Sequence, residues 1–176
     1  MFARILLLVF LPLMAHAQEL DRTRDGLTFS ASTRTPEQMT AFYTARGFPE
    51  RMVREIAAAC FVTAGMRNRR DEVVWLELAQ WRFTDAVGKP VPRINRADWN
   101  QKWAALDVPP AARATFGWTQ LPESRDLQPG ESAGGNVAVL APPGVFSLSA
   151  RFRTASGKQI EIVVPGLSCP RDGAAP

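Results

Sequence analysis

The stretch VFSLSARFRTASGKQIEIVV, residues 145–164, constrains the fold more than any other part of the chain. From Val145 to Arg153 apolar and polar residues alternate, which is the period of a β-strand and puts Phe146, Leu148, Ala150 and Phe152 on one face. TASGK then turns the chain, and Gln159–Val164 places Ile160, Ile162 and Val164 on one face in the same way. Two antiparallel strands with a shared apolar face need a second layer to cover it. The expectation is therefore a layered antiparallel β protein.

Other segments repeat the signal. Gly26–Ser32 reads as a strand carrying Leu27 and Phe29 on one face. Cys60, Val62, Ala64 and Met66 alternate with Phe61, Thr63, Gly65 and Arg67. Val73–Phe83 reads as the next strand, joined to the previous one by RNRRDE at 67–72. That stretch is expected to be the solvated tip of a hairpin, with Asn68 suited to the turn and the charges in water. Val74, Leu76 and Leu78 share a face on this strand, but Trp81 and Phe83 are out of phase with them. A bulge near Ala79-Gln80 brings all five to the core. TDAVGKP and LQPGE are turns, Thr115–Leu121 is expected as a strand carrying Phe116 and Trp118, and Asn136–Leu140 as a short strand. Turn signals at this spacing favour an all-β sandwich or barrel.

Helices interrupt this pattern. Thr35, Pro36 and Gln38 form a capping-box start, Met39, Phe42 and Tyr43 make an apolar stripe, and Gly47 is a stop. Pro49 to about Ala58 repeats the spacing with Met52, Val53 and Ile56. Asn95, with Asp98 three residues on, starts a helix carrying Trp99, Trp103 and Leu106, which Pro109-Pro110 ends.

Residues 1–17, MFARILLLVFLPLMAHA, have the charged start, apolar run and Ala-x-Ala end of a secretory signal peptide. The run is shorter than the roughly 20 residues a membrane span needs, and no second such run follows. The mature chain, 18–176, is expected to be a single domain with a helical insertion at about 35–58, located in the periplasm or secreted. Two cysteines, Cys60 and Cys169, remain in a compartment where disulfides persist, and only one intrachain pairing exists. Closing so long a loop is worth about 4–5 kcal/mol in the chain-entropy treatment.

The order of VTAGMRNRRDEVVWLEL, WRFTDAVGKP, LQPGESAGGNV and GVFSLSARF, across about residues 60–165, resembles bacterial secreted immunoglobulin-like accessory domains. In those domains a strand, an Asn-containing turn, a strand and an Asp-x-x-Gly-like turn lead to a Pro-Gly-Glu turn and a closing hairpin. The resemblance implies an immunoglobulin-like antiparallel β-sandwich, mainly β, here with two or three short helices packed on or beside it. It also implies a binding or scaffolding habit, and it carries no catalytic residues.

The chemistry is bounded by what the mature chain lacks. The single histidine, His16, lies in the signal. Its removal disfavours an imidazole acid or base, a Ser-His-Asp triad and a histidine metal site. Arg outnumbers Lys, present only as Lys89, Lys102 and Lys158, and the basic residues form no stripe, so no nucleic-acid partner is expected. Met39, Met52 and Met66 fit apolar stripes better than a copper site, and neither a metal nor a cofactor is expected. The nearest carboxylate pairs, Glu72 with Glu77, Asp98 with Asp107, and Glu123 with Asp126, leave a carboxylate-based hydrolase as one alternative.

Five tryptophans are the better lead. Trp75, Trp99, Trp103 and Trp118 are the candidate ligand- or partner-binding residues, with core packing as the competing role for each. The reading is an exported, non-enzymatic binding or accessory protein of the bacterial envelope. Its partner would be another exported protein or an envelope component. A glycan-binding module using exposed Trp, Trp75 or Trp118, is the other alternative.

Overall fold

A computed structural model of the protein describes residues 22–140 and 142–169. Within them the chain is mainly β, built from two antiparallel sheets and four α-helices. The first sheet has the order β1-β2-β3-β8-β6, formed by Arg22–Arg24, Leu27–Arg34, Cys60–Asn68, Ser132–Val139 and Arg93–Ile94. The second holds β10 (Gln159–Ser168), β9 (Val145–Thr154), β4 (Val74–Glu77) and β7 (Ser124–Leu127) in that order, with β5 (Arg82–Asp85) also paired to β9. The expected signal peptide lies outside the described residues.

The hairpin expected at 145–164 forms, with Phe152 opposite Ile160, Ala150 opposite Ile162 and Leu148 opposite Val164. These residues meet Leu27, Phe29, Val62, Ala64 and Met66 of the first sheet in one continuous core. Cys60 and Cys169 are bonded across a sequence separation of 109 residues, joining the start of β3 to the chain just beyond β10. The disulfide therefore ties one sheet to the other.

RNRRDE is not a hairpin tip. β3 belongs to the first sheet and β4 to the second, so this segment carries the chain between layers. Asn68 is wholly buried at the corner. Its Nδ2 donates to the carbonyls of Glu72 (2.8 Å) and Leu127 (2.9 Å), and its Oδ1 accepts from the Arg70 N–H (3.0 Å). The Arg70 guanidinium donates to the Glu72 carboxylate, and both side chains are largely covered. Glu72 also accepts from the Ser156 N–H at 2.7 Å, locking the corner to the β9–β10 turn. A loop that changes sheets has backbone groups inside the protein that water cannot reach, and Asn68 is what satisfies them.

The phase conflict at 74–83 resolves where expected but by a different device. A single 3₁₀ turn, Leu78–Gln80, separates β4 from β5 and resets the alternation. Val74, Leu76, Leu78, Trp81 and Phe83 are all buried as a result.

Four helices cover the other side of the first sheet: α1 (Pro36–Thr44), α2 (Glu50–Ala58), α3 (Arg96–Ala105) and α4 (Pro110–Thr119). The Thr35 and Asn95 capping boxes are both present. α4 replaces the strand expected at 115–121. Pro109-Pro110 does not merely end α3; Pro110 occupies the first turn of the next helix, where a missing N–H costs nothing. The count of two or three helices is corrected to four among the described residues for the same reason. Three further strands were not expected: β1, the two-residue β6, and β7 with its polar sequence SRDL.

Register explains how the helical layer attaches. The outer face of the first sheet carries Phe61 opposite Ala138, then Thr63 opposite Asn136, then Gly65 opposite Gly134. Phe61 and Ala138 join a second core with Tyr43, Ile56, Trp99, Trp103 and Phe116. The apolar end of the face is thus roofed by helices, and the polar end is not part of that core.

Candidate functional site

Phe116 anchors α4. Its ring lies 5.1 Å from both Trp99 and Trp103, whose own rings stack 4.9 Å apart. Two residues further along a helix is about 200° of rotation, so Trp118 points away from this cluster. It is 83% exposed, the largest side chain left so open among the described residues. The helix ends over β8, where the Leu121 N–H donates to the Asn136 carbonyl at 2.9 Å. The crossing is close: a Cβ at Gly135 would sit 2.5 Å from the Leu121 nitrogen, so only glycine fits.

Trp118 stands between two open cavities. One, of about 550 Å³, lies over the polar end of the sheet face, walled by Arg34, Gln38, Phe42, Thr63 and Asn136. Its floor is an ordered relay: Arg34 Nε donates to Thr63 Oγ1 (2.9 Å), which donates to Asn136 Oδ1 (2.7 Å). The other, of about 430 Å³, lies between α3, α4 and the β6–β8 edge, and includes Arg93, Arg96, Arg113, Trp99 and Trp103 in its walls.

Tyr43, Thr119 and Gln120 connect the end of α4 to α1. The Thr119 hydroxyl donates to the Phe116 carbonyl at 2.7 Å, which commits its proton. The Tyr43 hydroxyl, 2.6 Å away, is therefore the donor in their mutual bond. Burial pushes the Tyr43 phenol above its ordinary value, against the opposing effect of hydrogen bonds with Thr119, Asn136 and Gln120. It is a structural donor, not an ionised one, at neutral pH.

The four candidate tryptophans part company. Trp99 and Trp103 are 3% and 1% exposed, so they are core residues rather than a surface platform, although both reach the wall of the smaller cavity. Their helical spacing is also the spacing of a buried stripe. Trp75 is half-buried, with the Arg153 guanidinium 4.2 Å above its ring, so one face is already occupied. Trp118 alone of the four is open. The residues around it that sequence reasoning did not single out are Arg34, Thr63, Asn136, Arg96 and Arg113. SAGGNV at 132–137 held a signal, since two glycines beside Asn in a strand mark a close backbone approach.

Of the six acids in the three carboxylate pairs, five are engaged by other groups. Glu72 is taken by Arg70 and Ser156, Glu77 by Arg153, and Glu123 by Arg93, while Asp98 caps α3 and Asp126 accepts from Gln128. Among the described residues no group of three or more His, Cys, Asp or Glu is placed to hold a metal ion. Among them, too, no helix is long and apolar enough to cross a membrane.

No protein-family model and no curated protein matches the chain. Two solved structures, both from Bacillus subtilis, resemble it weakly. One is the candidate lipoprotein YcdA, 9% identical with a TM-score of 0.47, covering 85% of this chain and 39% of that one. The other is the YjhA protein, 8% identical with a TM-score of 0.42, covering 74% of this chain and 76% of that one. The chain thus spans well under half the length of the former, and a likeness at this level decides nothing further.

Proposed function

We propose that the protein is an exported, non-enzymatic binding protein of the bacterial envelope, that its sandwich is of the immunoglobulin-like kind, and that its ligand is a saccharide held on Trp118. The single observation that carries this reading is the open Trp118 ring, presented by a helix anchored through Phe116 and flanked by planar hydrogen-bonding side chains. An indole offers a flat apolar face to the C–H side of a pyranose, and neighbouring amide and guanidinium groups orient its hydroxyls. Arg34, Gln38 and Asn136 supply such groups, and the Arg34–Thr63–Asn136 relay holds two of them in place before any ligand arrives. A protein partner, by contrast, favours an aromatic anchor set among many further apolar contacts; beside Trp118 the cavity wall offers Met39 and Phe42, and its remaining residues are polar or glycine. Export is supported by the N-terminal leader pattern and by the disulfide, which persists in oxidising compartments.

The test is titration of the protein with soluble oligosaccharides, read by intrinsic fluorescence and calorimetry. Wild type should respond to at least one of them. Trp118→Ala should weaken that binding at least about 30-fold, the size of a hot-spot loss, while leaving thermal stability unchanged because the ring is exposed. A variant that binds as well as wild type, or a wild type that binds none of the sugars, refutes the proposal.

A further inference from the structure

The smaller cavity beside Trp118 carries more cations than acids, with Arg93, Arg96 and Arg113 against Glu123. Arg96 and Arg113 stand in its wall, and neither is in an ion pair with any carboxylate among the described residues. Arg113 donates through Nε to the Val108 carbonyl at 2.6 Å, which leaves its terminal nitrogens free for a ligand. The acid in that wall, Glu123, is already engaged: it accepts from Arg93 Nη2 at 2.7 Å and from the Arg96 main-chain N–H at 3.2 Å. Trp99 and Trp103 also border this cavity, but their indole N–H groups lie beneath its surface, as unpartnered in the core as that of Trp81. Arg96 also lies close to α4. A Cβ at Gly117 would fall 3.5 Å from Arg96 Nη2, so the guanidinium rests one residue from Trp118.

We infer that the bound saccharide is acidic: one ring stacks on Trp118 while its carboxylate, or that of the neighbouring unit, enters the cavity between α3 and α4 and is taken by Arg96 and Arg113. The inference rests on the saccharide reading of Trp118 given above. A guanidinium binds a carboxylate through two parallel hydrogen bonds, and a planar acidic group fits such a fork better than a hydroxyl does. A neutral sugar at this position would cover two cations without compensating them, which is unfavourable.

The probe is a pair of oligogalacturonides of equal length, one as the free acid and one methyl-esterified, titrated at low salt. The rings are the same and only the charge differs. The free acid should bind at least about tenfold more tightly, with a preference that shrinks as salt rises. Arg96→Gln should remove most of that preference while ester binding persists; Arg96 is exposed, so the variant should fold normally. Arg113→Gln should act likewise, with circular dichroism and melting temperature recorded because it also loses the Val108 bond. Trp118→Ala should lose both ligands. Equal binding of acid and ester, or a preference that survives the Arg96→Gln/Arg113→Gln double variant, overturns the inference and leaves the saccharide reading standing. Failure of both ligands to bind wild type overturns it as well, and a neutral-sugar titration then shows whether the broader reading falls with it.

Discussion

Asn68 is the residue whose loss should be felt most for its size. Its side chain makes three hydrogen bonds at the corner between the sheets, two as donor and one as acceptor, in a wholly buried position. Each such bond contributes about 1 kcal/mol net, and a buried carbonyl left without a donor costs about 1–3 kcal/mol. Asn68→Ala removes all three bonds and strands the Leu127 carbonyl, so a loss of about 3–4 kcal/mol is expected. Against a total stability of about 5–15 kcal/mol this is a large fraction. In urea, with a slope of about 2 kcal/mol/M, the midpoint should fall by about 1.5–2 M. Asn68→Asp keeps the acceptor for the Arg70 N–H but turns a carboxylate toward two carbonyl oxygens, so it should be at least as damaging at pH 7. Arg67→Ala, one residue away and exposed, should stay within about 0.5 kcal/mol. If Asn68→Ala shifts stability by less than about 1 kcal/mol, the corner is not held in the way described.

Two more perturbations test the scaffold. Replacing Cys60 and Cys169 together by Ala opens a loop of 109 residues and should cost about 5 kcal/mol in the chain-entropy treatment, measured by urea unfolding; an unchanged midpoint would show that the sheets need no staple. Glu72 is held at about 2, first by the Arg70 hydrogen bond and then by the Ser156 N–H. Because its folded value lies below its unfolded one, the contribution is present above about pH 4.5 and is lost as pH falls toward about 2. Asp25, lowered chiefly by its hydrogen bond from Lys158, and Glu161, lowered chiefly by Ser149, act with the same sign. Urea midpoints should fall between pH 5 and pH 2, and Glu72→Gln should be less stable than wild type at pH 7 with the gap closing at pH 2. A gap that does not depend on pH refutes the assignment.

The elements that could be read in the sequence are those whose local chemistry has one solution. Strict alternation at 145–164 and the capping boxes at Thr35 and Asn95 are of that kind. So is the pairing of two cysteines. What could not be read depends on neighbours distant in sequence. Thr115, Phe116, Gly117 and Trp118 alternate as a strand does, but the preceding Pro110 starts a helix and the Phe116 ring finds its partners on α3. RNRRDE looks like a turn because both flanks are strands, yet only tertiary pairing decides whether those strands share a sheet. The same ambiguity governed the tryptophans. Trp99 and Trp103 occupy one helix face whether that face meets a ligand or a core, and the Phe61 ring stacked 6.0 Å from Trp99 settles it.

The open side of the protein follows from where the apolar part of one sheet face stops. Phe61 and Ala138 sit opposite each other and draw the helices onto themselves; one pair further along, Thr63 and Asn136 offer nothing apolar to cover. α4 is fastened at Phe116 and again where the Leu121 N–H meets the Asn136 carbonyl, with Gly135 permitting the approach. Trp118 lies between these two fastenings and belongs to neither. Its position is fixed by main-chain and neighbouring contacts while its own ring adds little to stability. Nothing in folding requires an indole there, since a polar residue would cost the core nothing. A large apolar ring kept in water at a place the scaffold holds still is what a contact surface needs, and this separation of support from contact is why function and stability should respond to different substitutions.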